Sequence, residues 1–201
     1  MADTVNGAPT TQKHQMEFNE SRKVALQELT ESLNSVSEKE AAEFLDVLLK
    51  SRRIFVAAEG RSRLMLQAFA KRLRHLGMES YVAGETVTPP AGKGDLLVAA
   101  SGSGKTGGVI NLVKLAKKYK TDIVFITAAA SPPSLKKQAC LTVVLAVAPA
   151  TRLPAKAASR QLMASLFEQT LLLFCDSICL ALRDRLKVTN EQMRKRHANL
   201  E

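Results

Sequence analysis

The loop from Ser101 to Thr106 has the composition of an anion site. It reads Ser101-Gly102-Ser103-Gly104-Lys105-Thr106 and lies between an apolar run and a helical segment. Glycines let a backbone approach an anion closely, hydroxyls and free N–H groups donate hydrogen bonds, and the start of a helix adds positive potential. We therefore expect Ser101, Gly102, Ser103, Lys105 and Thr106 to hold a phosphate group.

A nucleotide-binding loop is the first alternative for this segment. Residues 99–106 match the pattern G-x-x-x-x-G-K-[ST] only if Ala99 replaces the first glycine. An enzyme of that type also needs an acid after a neighbouring strand to hold Mg²⁺, and Ala128 and Ala148 stand there instead. The pattern therefore disfavours ATP or GTP hydrolysis. A glycine-serine turn that binds nothing is the other alternative.

Glu168 is the second residue that suggests chemistry. It lies with Asp176 inside the most hydrophobic stretch of the chain, Leu162 to Leu182. Each acid would cost about 2.5 to 3.5 kcal/mol in a membrane span, so the stretch predicts a buried helix and no membrane partner. Burial raises the pKa of a carboxyl toward the range useful for a general base, whereas pairing with a basic neighbour is the structural alternative.

Glu85 and His197 carry weaker signals. Glu85 follows a short predicted strand, where it could bind sugar hydroxyls, act as an alternative base, or bond Thr86 or Thr88 to hold the turn. Imidazole titrates near neutrality, so His197 could move protons. A histidine this close to a terminus is usually solvated and idle, so its position alone does not indicate a function.

The elements that position these residues alternate along the chain. Amphipathic spacing predicts two helices between Phe18 and Leu49, the second capped by a box of Ser37 and Glu40. Strands alternating with helices indicate an α/β fold, a three-layer αβα sandwich around a five-stranded parallel sheet. The strands are predicted at Ile54 to Ala58, Ser80 to Ala83, Leu96 to Ala100, Ile123 to Thr127 and Leu141 to Val147. The remaining helices are predicted from Ser62 to Gly77 and at about Thr106 to Tyr119, Ser134 to Ala139, Ala157 to Arg185 and Asn190 to His197.

Composition and charge narrow the class of protein. The chain has 201 residues, of which 46% are hydrophobic, which fits one globular domain. We expect residues 1–15 to form a flexible tail and residues 16–201 a single domain with N-terminal helices and a C-terminal helical tail. Three cysteines make no disulfide framework and no signal peptide opens the sequence, which predicts a cytoplasmic protein. Cys175 and Cys179 lack partner ligands, so buried thiols are expected and a metal is not.

The charge is unevenly distributed. The whole chain carries +10, but residues 1–50 carry 5 basic and 9 acidic side chains, so the rest is strongly basic. Such a field suits a nucleic acid or a small phosphorylated metabolite. The acidic first 50 residues offer no basic recognition helix, which argues against nucleic acid.

Motifs in a specific order resemble a known family. The chain from about Ser51 to Glu201 resembles the sugar isomerase (SIS) domain family, and within it the 6-phospho-3-hexuloisomerases. The motifs are Gly60-Arg61-Ser62, Arg72-Leu73 with His75-Leu76-Gly77, Gly84-Glu85-Thr86-Val87-Thr88-Pro89, Gly94-Asp95-Leu96-Leu97, Ser101-Gly102-Ser103-Gly104, Leu166-Phe167-Glu168-Gln169 and Arg196-His197-Ala198-Asn199-Leu200-Glu201.

The resemblance implies a homotetramer that interconverts D-arabino-3-hexulose 6-phosphate and fructose 6-phosphate through a cis-enediol, with no metal or organic cofactor. That reaction belongs to formaldehyde fixation by the ribulose monophosphate pathway, or to pentose phosphate supply. By the same match, Glu168 is the catalytic base. His197 transfers protons between substrate oxygens or assists ring opening, in the site of a neighbouring subunit. Arg61, Ser62 and Glu85 are implied to contact the substrate.

The chain departs from the family pattern near these residues. Lys105 stands where the family has Glu, Glu59 where a small residue is expected, and Arg63 where Gly is usual. The Pro and Gly that normally precede Leu166 are also absent. These changes leave open a noncatalytic sugar-phosphate-binding or sensor protein. Sensors of this kind carry a separate DNA-binding domain, which residues 1–50 do not resemble.

Overall fold

A computed structural model of the chain describes residues 16–129, 139–145 and 159–200. Residues 1–15, for which a tail is predicted, and most of the predicted helix at 134–139 lie outside this part. The described elements are α1 (Phe18–Asn34), α2 (Glu38–Lys50), β1 (Ile54–Ala57), α3 (Gly60–His75), β2 (Ser80–Val82), β3 (Leu96–Ala100), α4 (Gly107–Lys118), β4 (Asp122–Thr127), β5 (Leu141–Val144), α5 (Ser165–Leu186) and α6 (Asn190–Lys195).

The five strands form one parallel sheet in the order β2-β1-β3-β4-β5. Successive residues of a strand point to opposite faces, and both faces are buried here, which explains the continuous apolar runs in the sequence. Ile54 and Val56 face a core shared with α1, α2, α3 and α5, whereas Phe55 and Ala57 face a second core against α4. The predicted three-layer α/β fold is therefore confirmed.

Helix α5 is the central helix of the larger core. Its fully buried residues include Leu171, Cys175 and Leu182, and burial raises the pKa of the Cys179 thiol to about 12. The helix is long and apolar enough to cross a membrane, yet 56% of its most apolar window is buried inside the chain. The predictions of a buried helix and of buried thiols are confirmed.

Two predicted helix starts are wrong. Helix α3 begins at Gly60, before the predicted Ser62, because Gly60 has a φ of +59° and turns the chain sharply out of β1. Helix α5 begins at Ser165, after the predicted Ala157, because Met163 adopts a left-handed φ of +53° just before it. Both helices therefore start at a sharp turn of the backbone.

The predicted capping box of α2 forms only in part. Ser37 Oγ accepts a hydrogen bond from the Glu40 N–H at 3.3 Å, as expected. The Glu40 carboxylate instead accepts the N–H of Val144 at 3.1 Å. Strand β5 is an edge strand, so this contact satisfies a backbone donor that has no neighbouring strand. Residues 146–147 of the predicted last strand lie outside the described part.

Asp95 joins the starts of the adjacent strands β1 and β3. Its side chain is fully buried and accepts hydrogen bonds from Arg52, Arg53 and the Gly92 N–H at 2.8–3.1 Å. Burial raises the pKa of this carboxyl, but the hydrogen bonds from Arg53, Gly92 and Arg52 outweigh that effect, and the pKa is lowered overall. Asp95 is therefore ionised in the native state and fixes β1 beside β3.

We predict that Asp95→Asn lowers the free energy of unfolding at pH 7 by about 2 to 4 kcal/mol, because it leaves buried donors poorly paired. A lowered pKa stabilises the native state above the unfolded value of about 3.9, and this stabilisation is lost as the pH falls through the folded value. The difference between wild type and variant, measured by urea unfolding, should therefore shrink in acid. Asp46→Asn removes an exposed acid paired with Arg185 and is the control. Equal stability of the Asp95 variant and wild type at pH 7 would contradict this role.

Candidate functional site

The site forms where the direction of the chain connections changes. Helix α3 leaves β1 toward one face of the sheet, and α4 leaves the adjacent β3 toward the other. The loops at the carboxyl ends of these two strands therefore separate and open a crevice, which is where parallel sheets bind ligands. The sequence places Arg61 and Ser62 after β1, and the glycine-serine loop after β3.

The loop from Ser101 to Thr106 is a closed turn lined with hydroxyls. Ser101 is buried, and its Oγ lies 2.7 Å from Thr106 Oγ1 and 3.5 Å from Ser103 Oγ. The N–H of Lys105 donates to Ser103 Oγ at 3.2 Å, and Gly104 adopts a φ of +65°. The Thr106 hydroxyl is engaged with Ser101 and does not cap α4, so no side chain caps the first turn of that helix. This is the arrangement expected of an anion cradle.

The approach of Phe167 to Gly102 places α5 beside this loop. A Cβ atom at residue 102 would lie only 3.1 Å from a carbon of the Phe167 ring. A larger residue would therefore push the ring away, and glycine permits the close approach. Because Glu168 follows Phe167, its carboxylate is held next to the loop. No spacing in the sequence predicts this contact, although Gly102 within an otherwise hydroxyl-rich loop is a signal for it.

Glu168 pairs with Arg61 across the crevice. The Glu168 side chain is 11% exposed, and its Oε2 lies 2.7 Å from Nε of Arg61, whose side chain is 63% exposed. If Glu168 had only a structural role, it was expected to pair with a basic neighbour, and it does pair with Arg61. Arg61, however, is itself predicted to contact the substrate. Within the described part of the chain, Oε1 of Glu168 accepts no hydrogen bond. The ion pair therefore fixes the position of the Glu168 carboxyl group through Oε2 and leaves Oε1 facing the site.

Glu85 lies on the other side of the start of α3. Its Oε1 lies 2.5 Å from Nη2 of Arg63, and both side chains are partly exposed. Residues two apart on a helix do not share a face, so Arg61 and Arg63 direct their partners to different sides. The Thr88 hydroxyl donates to the Val82 carbonyl at 2.6 Å, so the Glu85 side chain does not hold this turn through Thr88. Ser62 lies between the two arginines, in the first turn of α3.

A pocket of about 320 Å³ lies between α3 and α4, beside the carboxyl ends of β1 and β2, and its lining includes neither residues 101–106 nor Glu168. Its floor is apolar, and Glu59, Arg63 and Asn111 supply its polar side chains. The Oε1 atom of Glu59 occupies the space that a Cβ at Gly108 would need, in the first turn of α4. Glu59 departs from the family pattern, and its contact with Gly108 is not predicted by the sequence. The Gly107-Gly108 pair at the helix start was the signal for it.

His197 does not lie with Glu168 in one chain. Its ring stacks on His75 with 5.0 Å between centroids, and Arg196 Nη1 donates to the His75 carbonyl at 3.1 Å. His75 ends α3, whereas Arg61 lies in its first turn, so the rise of about 1.5 Å per residue puts them roughly 20 Å apart. The C-terminal tail therefore packs at the amino-terminal ends of the strands, and the crevice lies at their carboxyl ends. A site containing both Glu168 and His197 requires two chains.

Comparison with known proteins identifies relatives over most of the chain. The profile of the SIS domain matches residues 47–173. The 3-hexulose-6-phosphate isomerase of Bacillus subtilis is 40% identical over 177 residues, which cover 88% of this chain and 95% of that protein. The enzyme of the same name from Mycobacterium gastri is 37% identical over 174 residues, which cover 87% of this chain and 86% of that protein.

The fold of the chain is also similar to that of a protein of known structure. The crystal structure of a Methanococcus jannaschii protein, from which a function as 3-hexulose-6-phosphate isomerase was inferred, superposes with a TM-score of 0.77. It is 32% identical and covers 90% of this chain and 99% of that one.

We predict that Ser101→Ala combined with Ser103→Ala weakens the binding of fructose 6-phosphate by about tenfold, because two hydroxyl donors are lost from the anion cradle. The melting temperature should change little, because the freed Thr106 hydroxyl can then cap α4. Calorimetric titration measures the affinity, and Ser177→Ala, on the exposed side of α5, is the control. Unchanged affinity in the double variant would refute the cradle.

Proposed function

The chain belongs to the SIS domain family, and from this and the geometry of its site we propose that it is an isomerase that interconverts D-arabino-3-hexulose 6-phosphate and fructose 6-phosphate. The relatives of that name support the proposal across nearly the whole chain. The observation that carries it is the buried Glu168 carboxylate, paired with Arg61 beside a hydroxyl-lined anion loop.

The reaction moves a carbonyl from C3 to C2 and needs one group that shuttles a proton between these carbons. Glu168 takes the proton from C2, and the C2–H electrons form a C2–C3 double bond while O3 gains a proton. The resulting cis-enediol then receives the proton at C3, and O2 loses its own to become the new carbonyl. Oxygen protons move through His197, which also assists ring opening. The family resemblance implies no metal or organic cofactor, and positioned acid–base groups alone can carry proton transfer through an enediol.

The positive groups of the site suit this substrate. The phosphate binds the loop from Ser101 to Thr106, where Lys105 adds a cation, and the sugar extends toward Arg61 and Ser62. Arg61 positions the Glu168 carboxyl group for proton transfer and stabilises negative charge on the substrate oxygens. Glu85 lies further along the crevice, where it binds hydroxyl groups of the sugar.

His197 enters this mechanism from a second chain. The roughly 20 Å between the two ends of α3 separates it from Glu168 within one chain, as the helical rise requires. We therefore propose a homo-oligomer, and a tetramer by the family resemblance. Leu173 and Leu180 on one exposed side of α5, and Leu64 on α3, supply apolar surface for such contacts. The protein acts in the cytoplasm, in the ribulose monophosphate pathway.

A coupled assay that follows fructose 6-phosphate formation from 3-hexulose 6-phosphate tests this function. We predict turnover that is unchanged after exhaustive EDTA treatment, because positioned acids and bases suffice.

Glu168→Gln keeps the shape of the side chain but removes the base, and should lower kcat by about 10²- to 10⁴-fold with a smaller effect on KM. Glu43→Gln, an exposed acid on α2, is the matched control.

Two results would contradict the proposal. Tight binding of sugar phosphates without turnover would favour the noncatalytic sensor instead. Wild-type kcat in the Glu168→Gln variant would remove that carboxylate from the mechanism, and Glu85 would then be tested as the base.

A further inference from the structure

Glu59 lies at an unusual place for an acid in a site that binds anions. It is the last residue before α3, but its side chain does not cap that helix. The side chain instead reaches the first turn of α4, where its Oε1 fills the space beside Gly108. The Glu59 side chain thus crosses from the end of β1 to α4, the helix that follows β3.

No other described group compensates the start of α4. The first turn of α4 contains no acid, and the Thr106 hydroxyl bonds Ser101 rather than the helix. The N–H groups at the start of a helix carry partial positive charge and attract an anion. The Glu59 carboxylate, beside Gly108, supplies negative charge there.

No neighbouring arginine holds the Glu59 side chain beside Gly108. Arg61 and Arg63, two and four residues further on, pair with Glu168 and Glu85. In residues 16–129, 139–145 and 159–200, Glu59 has neither an ion pair nor a side-chain hydrogen bond. The carboxylate is also on the wall of the 320 Å³ pocket, which gives it room to turn away.

We propose that Glu59 is an internal competitor of the substrate phosphate and sets the affinity of the site for it. This inference rests on the proposed function, because the phosphate is placed on the loop that leads into the same helix. Glu59 compensates the positive start of α4, and an arriving phosphate displaces it or binds against its charge. The carboxylate therefore weakens phosphate binding and favours release of the product.

Removing the charge tests this directly. Glu59→Gln keeps the side chain's size, and we expect it to tighten the binding of inorganic phosphate by roughly three- to tenfold, as charge effects near a helix start suggest. Calorimetric titration of the full chain gives the dissociation constant. Glu43→Gln changes the net charge equally on an exposed part of α2 and should leave the constant unchanged.

The glycine pair supplies a second, steric test. Gly108→Ala places a methyl group where Oε1 of Glu59 lies and should displace the carboxylate, so its phosphate affinity should rise like that of Glu59→Gln. Gly107→Ala adds the same methyl group one residue earlier, where no atom lies within 4 Å, and should bind like wild type. Combining Gly108→Ala with Glu59→Gln should give no further gain.

Unchanged or weaker phosphate binding by Glu59→Gln would overturn the proposal, and the weaker result would make Glu59 a ligand of the substrate instead. Failure of wild type and variants alike to bind phosphate would overturn it as well. A wild-type chain that binds phosphate without converting 3-hexulose 6-phosphate would refute the isomerase. The Glu59 comparison would still be decisive in that case, because it does not depend on turnover.

Discussion

The parallel pairing of β1 with β3 is the constraint on which the site depends. At one end of this pair, buried Asp95 binds Arg52 and Arg53 and fixes where both strands begin. At the other end, the chain leaves the two strands toward opposite faces of the sheet. A shift in the pairing would carry the loop after β1 away from the loop after β3. The network around Asp95 therefore positions the crevice without lying in it.

The charges of the crevice are arranged in opposing sets. Arg61 faces Glu168, Arg63 faces Glu85, and the start of α4 faces Glu59. Each of these acids therefore has a positive group beside it within the chain. In the proposed complex a phosphorylated sugar changes this balance, because its phosphate brings negative charge to the helix that Glu59 already faces. The proposal thus assigns binding and catalysis to different members of the same set of charges.

The strands and the order of elements were predictable because they depend on local patterns. Continuous apolar runs such as Leu96–Ala100 suit only strands buried on both faces. The predicted start of α5 failed because Met163 adopts a left-handed conformation that residue type does not favour. The full capping box failed for a different reason, since Glu40 bonds Val144, a residue 104 positions away.

The candidate site was predictable in its parts but not in its pairings. The hydroxyl and glycine pattern of residues 101–106 predicts an anion loop, and the acid in an apolar helix predicts a role for Glu168; the structure places the two next to each other. The ion pair with Arg61 depends on how α3 and α5 pack, and no spacing in the sequence encodes it. The position of His197 at the far end of α3 also came only from the three-dimensional structure.

In the proposed mechanism, one site takes Glu168 from one chain and His197 from another. Glu168→Gln and His197→Ala proteins, each inactive alone, should regain turnover when their subunits are exchanged in equal amounts. Random mixing restores both residues in about one quarter of the sites of a symmetric oligomer, so about one quarter of wild-type kcat is expected. Verified subunit exchange without any recovery would contradict the account and place both groups on one chain.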